Sequence, residues 1–269
     1  MAIAEDFDFS NISITSGSLE ARLAENSLEI DAAQSLRYKV FFEEMKAKPT
    51  SLQRNTKRDI DHFDHYFDHI LVIDHKKTGK IKNKVVGTYR LNRGNQKGKK
   101  NLFYTSGEYD LTKLLSYKGN ILELGRSCVD KNYRSGKIMQ LLWTFIAQYV
   151  LKYDIKIMFG CASFPGINVS LHKPALAYLH KNYIAPSNIR PTALKERYIS
   201  MKDSNMDIKD RNIKKFRASI PPLIKGYIRL GAYVGDGAVI DYEFNTIDVC
   251  IVLPTKKIAT RYMDHYDRK

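Results

Sequence analysis

Residues 120–151 read NILELGRSCVDKNYRSGKIMQLLWTFIAQYVL, and their reading decides the fold. Residues 121–129 alternate and are rich in aliphatic side chains, the pattern of a buried strand. The turn YRSG punctuates the run. From Lys137 to Lys152 the period changes: Met139, Leu142, Trp143, Ile146 and Val150 recur at helical spacing, with Gln140, Thr144 and Gln148 off that face. A strand, a tight basic glycine turn and a long helix form a unit that can offer backbone N–H groups and a helix N-terminus to an anionic or carbonyl ligand. The strand also carries Glu123 and Arg126 in an apolar run. Charges in a core strand are costly unless paired or put to use.

Outward from this unit, residues 31–46 predict an amphipathic helix with Ala33, Leu36, Val40 and Phe41 on one face and Asp31 as its N-cap. The run 59–69 is dense in Asp and His and leads into an aliphatic strand at 69–74, whose hairpin partner is VVGTYRL, 85–91. A short helix is expected within 108–115. Downstream, 156–164 reads as another buried strand ended by Pro165 and Gly166, followed by a helix near 169–180. Residues 186–219 are polar and basic without clear period. Residues 220–230, a glycine-rich turn at 231–239 and a strand at 248–253 complete the pattern. The expected fold is a single α/β core, a sheet flanked by helices, plus a C-terminal extension. The segments are a lead-in or first edge strand at 1–28, the main domain at 29–255 including a C-terminal segment from about 186, and a basic tail at 256–269.

The formal net charge of +15, from 44 Lys and Arg against 29 Asp and Glu, implies attraction to polyanions: nucleic acid, anionic lipid or an acidic protein partner. Cys128, Cys161 and Cys250 lie far apart without CxxC spacing, which excludes a disulfide framework and fits a reducing cytoplasm. The acidic start MAIAEDFDFS lacks the basic and apolar regions of a signal peptide. The longest uncharged runs fall short of the roughly 20 residues that span a membrane. The expectation is a cytoplasmic protein that at most lies on a membrane surface. The stretch 211–229 mixes basic and apolar residues and suits either an anionic bilayer or a helix packed on the core.

Glu123 and Arg126 are three apart, so a regular strand points them to opposite faces; a bulge at Gly125 would bring them together. They are either a structural ion pair or a base in a cleft. The run with Asp59, Asp61, Asp64 and Asp68 lacks the glycine and glutamate of a calcium loop and the HExxH of a zinc site, so no metal is expected. It reads as a solvated loop or as carboxylates for a cationic substrate. Arg37 and Arg90 fit ion pairing as well as ligand binding, and Cys128 reads as a buried thiol.

In order along the chain stand DIDHFDHYFDHILVID, VVGTYRL, LELGRSCVDKNYRSG, FGCASFPG and the block 221–254. Over about residues 30–255 this arrangement resembles the bacterial ornithine–acyl-carrier-protein N-acyltransferases, hemolysin-like members of the GNAT superfamily. It is more distantly similar to acyl-homoserine lactone synthases, whose arginine and phenylalanine, DxxD, arginine and ExxR correspond to Arg37 with Phe41, Asp61 with Asp64, Arg90, and Glu123 with Arg126.

The resemblance implies a mixed, mostly antiparallel sheet flanked by helices, with the thioester arm lying where two central strands splay. It implies that Ser127, Cys128 and Val129 meet the thioester carbonyl, that Cys161, Ala162 and Ser163 form the opposite wall, and that Arg134 and Gly136 hold phosphate. The turn 134–138 lacks the second small residue of a CoA pyrophosphate loop, which favours an acyl carrier protein as donor; no bound cofactor is expected. Glu123 is the first expected base and Asp64 the second, with Arg126 beside them. Asp61, Asp64 and Asp68 are expected to anchor the side-chain amine of L-ornithine, and Arg37 or Arg90 its carboxylate, with Phe41 nearby. The implied reaction is N-acylation of ornithine; an acyl-homoserine lactone or other N-acyl-amino-acid synthase is the alternative enzyme, and a basic nucleic-acid- or membrane-binding module the alternative class.

Overall fold

The computed structural model describes residues 12–94, 102–202 and 216–256. Its strands are β1 (Ser13–Ser16), β2 (Leu19–Leu23), β3 (Asp68–Asp74), β4 (Val85–Asn92), β5 (Tyr109–Asp110), β6 (Asn120–Val129), β7 (Ile155–Pro165), β8 (Thr192–Ala193), β9 (Tyr233–Asp241) and β10 (Thr246–Pro254). They form one sheet in the order β1-β2-β3-β4-β6-β7-β10-β9-β8-β5. Pairing is antiparallel except between β6 and β7 and between β8 and β9. The helices are α1 (Ser27–Tyr38), α2 (Ser51–Thr56), α3 (Ile81–Lys84), α4 (Thr112–Leu115), α5 (Lys137–Lys152), α6 (Val169–Tyr183) and α7 (Pro222–Arg229).

Helix α5 has the predicted bounds, and its buried stripe of Leu142, Phe145, Ile146, Tyr149 and Val150 packs on the sheet with residues of α6 and α7. The opposite face is covered by two smaller clusters, one around Phe103, Tyr109 and Phe159 and one under α1. The N-cap of α1 is Asn26, accepting from the N–H of Glu29, rather than Asp31. Its continuation, Lys39–Glu44, is π-helical, a form that often marks functional sites. The stretch read as a glycine-rich turn is β9: Gly237 at φ 85° leaves room for the Tyr198 ring, so glycine there serves close packing within a strand. Residues 13–23 of the expected lead-in form the first hairpin, paired to β3. The expected tail beyond residue 256 and residues 211–215 of the basic stretch lie outside the described residues.

Within the remainder of that stretch, Ile224 and Tyr227 are buried and Leu223 and Ile228 pack against the core. The helix therefore turns its apolar face inward, as expected for packing on the core. Among the described residues no helix is long and apolar enough to cross a membrane.

Candidate active site

Strands β6 and β7 run in parallel register from Asn120 opposite Ile155 to Glu123 opposite Phe159. Just beyond, Gly160 at φ 155° lies so close to the Leu124 carbonyl that a side chain would collide with it. Past this contact the strands part around a cavity of about 760 Å³. One wall is residues 124–129 of β6; the other holds Cys161, Ala162 and Ser163 of β7. Met139, Trp143, Leu223 and Tyr227 line it on the side of α5 and α7, and Phe41, Tyr104, Asp241 and Asp248 on the opposite side.

The wall of β6 is bulged. Gly125 opposes Arg90 and Cys128 opposes Thr88, so Arg126 and Ser127 together face one residue of β4, Tyr89. The left-handed residue is Arg126 itself, at φ 51°, and not Gly125, where the bulge was expected. A non-glycine residue held there stores backbone strain of order 1–3 kcal/mol. Buried contacts hold it: the guanidinium lies 4.6 Å from the Tyr104 ring centroid and 4.3 Å from that of Phe244. It also pairs with Asp59 and Asp61, each at 3.3 Å.

Those two carboxylates belong to a buried network. Arg37, fully buried, donates to Asp59 Oδ2 at 2.8 Å and to Asp64 Oδ1 at 2.7 Å, and Arg90 Nη1 donates to Asp61 at 2.7 Å and Asp64 at 2.8 Å. Gln34 adds a hydrogen bond to Asp64. Asp61 also caps the turn His62–His65. Burial alone would raise the Asp64 carboxyl; the charges of Arg37 and Arg90 outweigh it and hold it far below the usual range. His69, whose Nε2–H donates to the Asp64 carbonyl, is pushed down to about 4 by burial and by Arg37. Three arginines thus match three aspartates.

The aspartates expected to anchor a cationic substrate are met by the protein's own charges: Arg37 and Arg90 pair with Asp64, and Arg90 and Arg126 with Asp61. Asp68 lies elsewhere, accepting from the Tyr149 hydroxyl at 2.6 Å with Arg93 4.0 Å away. Arg37 is sealed in the network and does not line the cavity, whereas Arg90, Arg126 and Phe41 do.

Glu123 lines the cavity, 2% exposed. Its carboxylate accepts from the backbone N–H of Thr105 at 2.7 Å and of Tyr104 at 3.1 Å, with the Asn92 amide at 3.4 Å. Burial raises its pKa above the ordinary carboxylate value, and the Thr105 and Tyr104 donors offset part of that rise. Cys128 is a buried thiol pushed up by desolvation. Arg134 lines the cavity mouth and donates to the Val129 carbonyl and to Glu44, and Gly136 supplies the left-handed cap of α5.

Three residues that sequence reasoning did not assemble meet at the far end. Cys161 Sγ lies 3.3 Å from Glu108 Oε2, and Glu108, Cys161 and Asp248 each offer a ligand atom within 4.8 Å of the others. A metal there would need the thiolate, whereas burial and the neighbouring carboxylates hold the Cys161 thiol well above its ordinary value. Asp248 carried the signal that flagged Glu123, a lone charge in the apolar run TIDVCIVLP. Glu108 carried none.

Residues 36–144 match the family model described as an acetyltransferase (GNAT) domain, and the mixed, mostly antiparallel sheet with flanking helices agrees with it. The chain is 45% identical over 252 residues to the L-ornithine N(alpha)-acyltransferase of Agrobacterium fabrum, covering 93% of this chain and 85% of that protein. It is 46% identical over 250 residues to that of Rhizobium meliloti, covering 92% and 84%. Among solved structures, that of FeeM, an N-acyl amino acid synthase from uncultured soil microbes, aligns over 93% of this chain and 98% of that chain at 12% identity, with a TM-score of 0.48.

Proposed function

The chain belongs to the L-ornithine Nα-acyltransferases, and from that premise we propose that it moves a (3-hydroxy)fatty acyl group from an acyl carrier protein thioester to the α-amine of L-ornithine. The observation that carries this reading is the cavity where β6 parts from β7, which has a bulged backbone on one wall and buried Glu123 at its head. The thioester lies in the gap. Backbone N–H groups at the Arg126–Ser127 bulge face its carbonyl, where each oxyanion donor is worth roughly 3 kcal/mol. Glu123 takes the proton of the α-ammonium, directly or through a water. The freed amine forms the C–N bond, the C–S bond breaks, and the thiolate leaves to be protonated. Arg90 and Arg126, two of the three arginines that line the cavity, attract the α-carboxylate.

The donor reading rests on charge and on the turn before α5. Residues 134–138 supply a glycine cap but lack the second small residue of a pyrophosphate cradle, while a carrier protein is acidic and the chain carries +15. The product, an amphiphile, must reach a lipid surface, and the same positive charge favours an anionic one.

The test is thiol release by the purified chain from 3-hydroxyacyl carrier protein and from the matching CoA thioester, with and without ornithine. Ornithine-dependent release is expected, with kcat/KM at least about tenfold higher for the carrier protein and falling as salt screens the encounter. Equal, salt-insensitive use of CoA would overturn the donor assignment. Absence of release from either would overturn the activity.

A further inference from the structure

The acidic end of the cavity is left over by the reaction just described. Asp248 stands on β10 opposite Ser163, on the wall across the gap from β6. It is 4% exposed and lines the cavity, and its Oδ1 has no hydrogen-bond partner. Glu108, 3% exposed, approaches it across Cys161, and Asp241 lines the same end. Asp241 is occupied as a cap, accepting from the N–H groups of Glu243 and Phe244. Arg126 is turned to Asp59 and Asp61, and Arg197 donates to the carbonyls of Gly107 and Ile240. Among the described residues neither Glu108 nor Asp248 is in a salt bridge. The contrast with the neighbouring network is sharp, since there every aspartate has its arginine.

Two buried carboxyl groups with no cation in salt-bridge contact, only Arg197 and Arg126 acting on them from farther off, are unstable as a pair of charges. Burial, with the Asp248 charge next, raises Glu108 to about 8, and burial raises Asp248 to about 6. Such a pair keeps a proton while empty, and a cation brought from outside would take that proton's place.

We propose that Asp248 and Glu108 form the subsite for the side-chain ammonium of the acceptor. The inference rests on the reading of the acceptor as a diamino acid. Such an acceptor must lose a proton from its α-nitrogen to attack the thioester, yet its other nitrogen stays charged and needs a carboxylate once it leaves water. The aspartates of the 59–68 run are unavailable for this, because arginines or the Tyr149 hydroxyl hold them. Asp248 and Glu108 remain. An acceptor lacking the second ammonium leaves the pair buried and unmatched, and is rejected for that reason. Selectivity for a diamino acid thus resides in β10 and in the turn before β5, away from Glu123.

The test uses L-ornithine and L-norvaline, which share a carbon skeleton and differ in the side-chain amine. Thermal shifts without donor and steady-state acyl transfer are measured for the wild type, Asp248→Asn and Glu108→Gln. The wild type is expected to be stabilised by ornithine and not by norvaline. Asp248→Asn should raise KM for ornithine by about 30-fold or more, as removal of one partner of a buried charge pair does, with a much smaller change in kcat. It should also bring the ornithine-to-norvaline ratio of kcat/KM toward one. A folded Asp248→Asn that keeps the wild-type ratio and the ornithine shift would overturn the subsite, as would stabilisation of the wild type by zinc chloride and not by ornithine. If Asp248→Asn does not fold, Glu108→Gln decides on the same readouts. Should the wild type release no thiol at all, the activity reading fails, and the ornithine-selective thermal shift with its loss in either variant still decides the subsite.

Discussion

Arg37→Met should lower folding stability by about 3–5 kcal/mol, the cost of breaking a buried ion pair from one side. That is a large part of the roughly 5–15 kcal/mol that keeps a domain folded. Arg37 is fully buried, and its guanidinium holds Asp59, Asp64 and the Asp59 carbonyl. Methionine fills much of the volume, so the loss isolates the charges. Asp59 and Asp64 would keep only Arg126 and Arg90 as counterions, both of which also serve Asp61. Urea denaturation should show a lower midpoint with an unchanged slope. Lys156→Ala is the control: its pair with Asp154 is exposed, and such pairs contribute about 0–1 kcal/mol. A comparable loss from both substitutions would mean that the network is dispensable.

Glu123→Gln should reduce kcat by about 10²–10⁴-fold, the usual contribution of a general base, with a smaller change in KM for ornithine. The substitution also has a structural effect. The carboxylate accepts two backbone N–H groups, from Tyr104 and Thr105, whereas an amide presents one acceptor and one donor. One N–H loses its partner, at a cost of about 1–3 kcal/mol. The two effects separate experimentally. If the thermal midpoint falls while kcat at saturating ornithine stays at the wild-type value, Glu123 only anchors the 103–108 turn. If kcat collapses in protein that remains folded at the assay temperature, it acts on the substrate. The split with Asp248→Asn is equally informative, since that variant should act mainly through KM.

Much of this architecture is visible in periodicity. The change from period two to period 3.6 across residues 120–152 locates β6 and α5, and the expected bounds of α5 coincide with those found. Positions governed by distant partners were less legible. The carboxylates of 59–68 stand out in the sequence, but the arginines that neutralise them arrive from α1, β4 and β6, and nothing local announces that meeting. Asn26 outcompetes Asp31 as the cap of α1 because its side chain reaches the N–H of Glu29. The bulge sits at Arg126, where aromatic rings and aspartates hold a left-handed backbone that glycine would adopt freely. Glu108 lies in a turn that is polar by composition, and only the pairing of β5 with β8, β8 with β9 and β9 with β10 brings it to Asp248. Here sequence shows the charges, and topology decides which of them are spent on each other.

In the proposed reaction the α-nitrogen of ornithine meets Glu123 and the side-chain nitrogen meets Asp248 and Glu108. Incubation with 3-hydroxyacyl carrier protein and L-ornithine isotopically labelled only at the α-nitrogen, followed by fragmentation of the product in a mass spectrometer, tests this most directly. A single amide on the labelled nitrogen, with the side-chain amine free, is the predicted result. Acylation of the unlabelled nitrogen, or no amide at all, would contradict it.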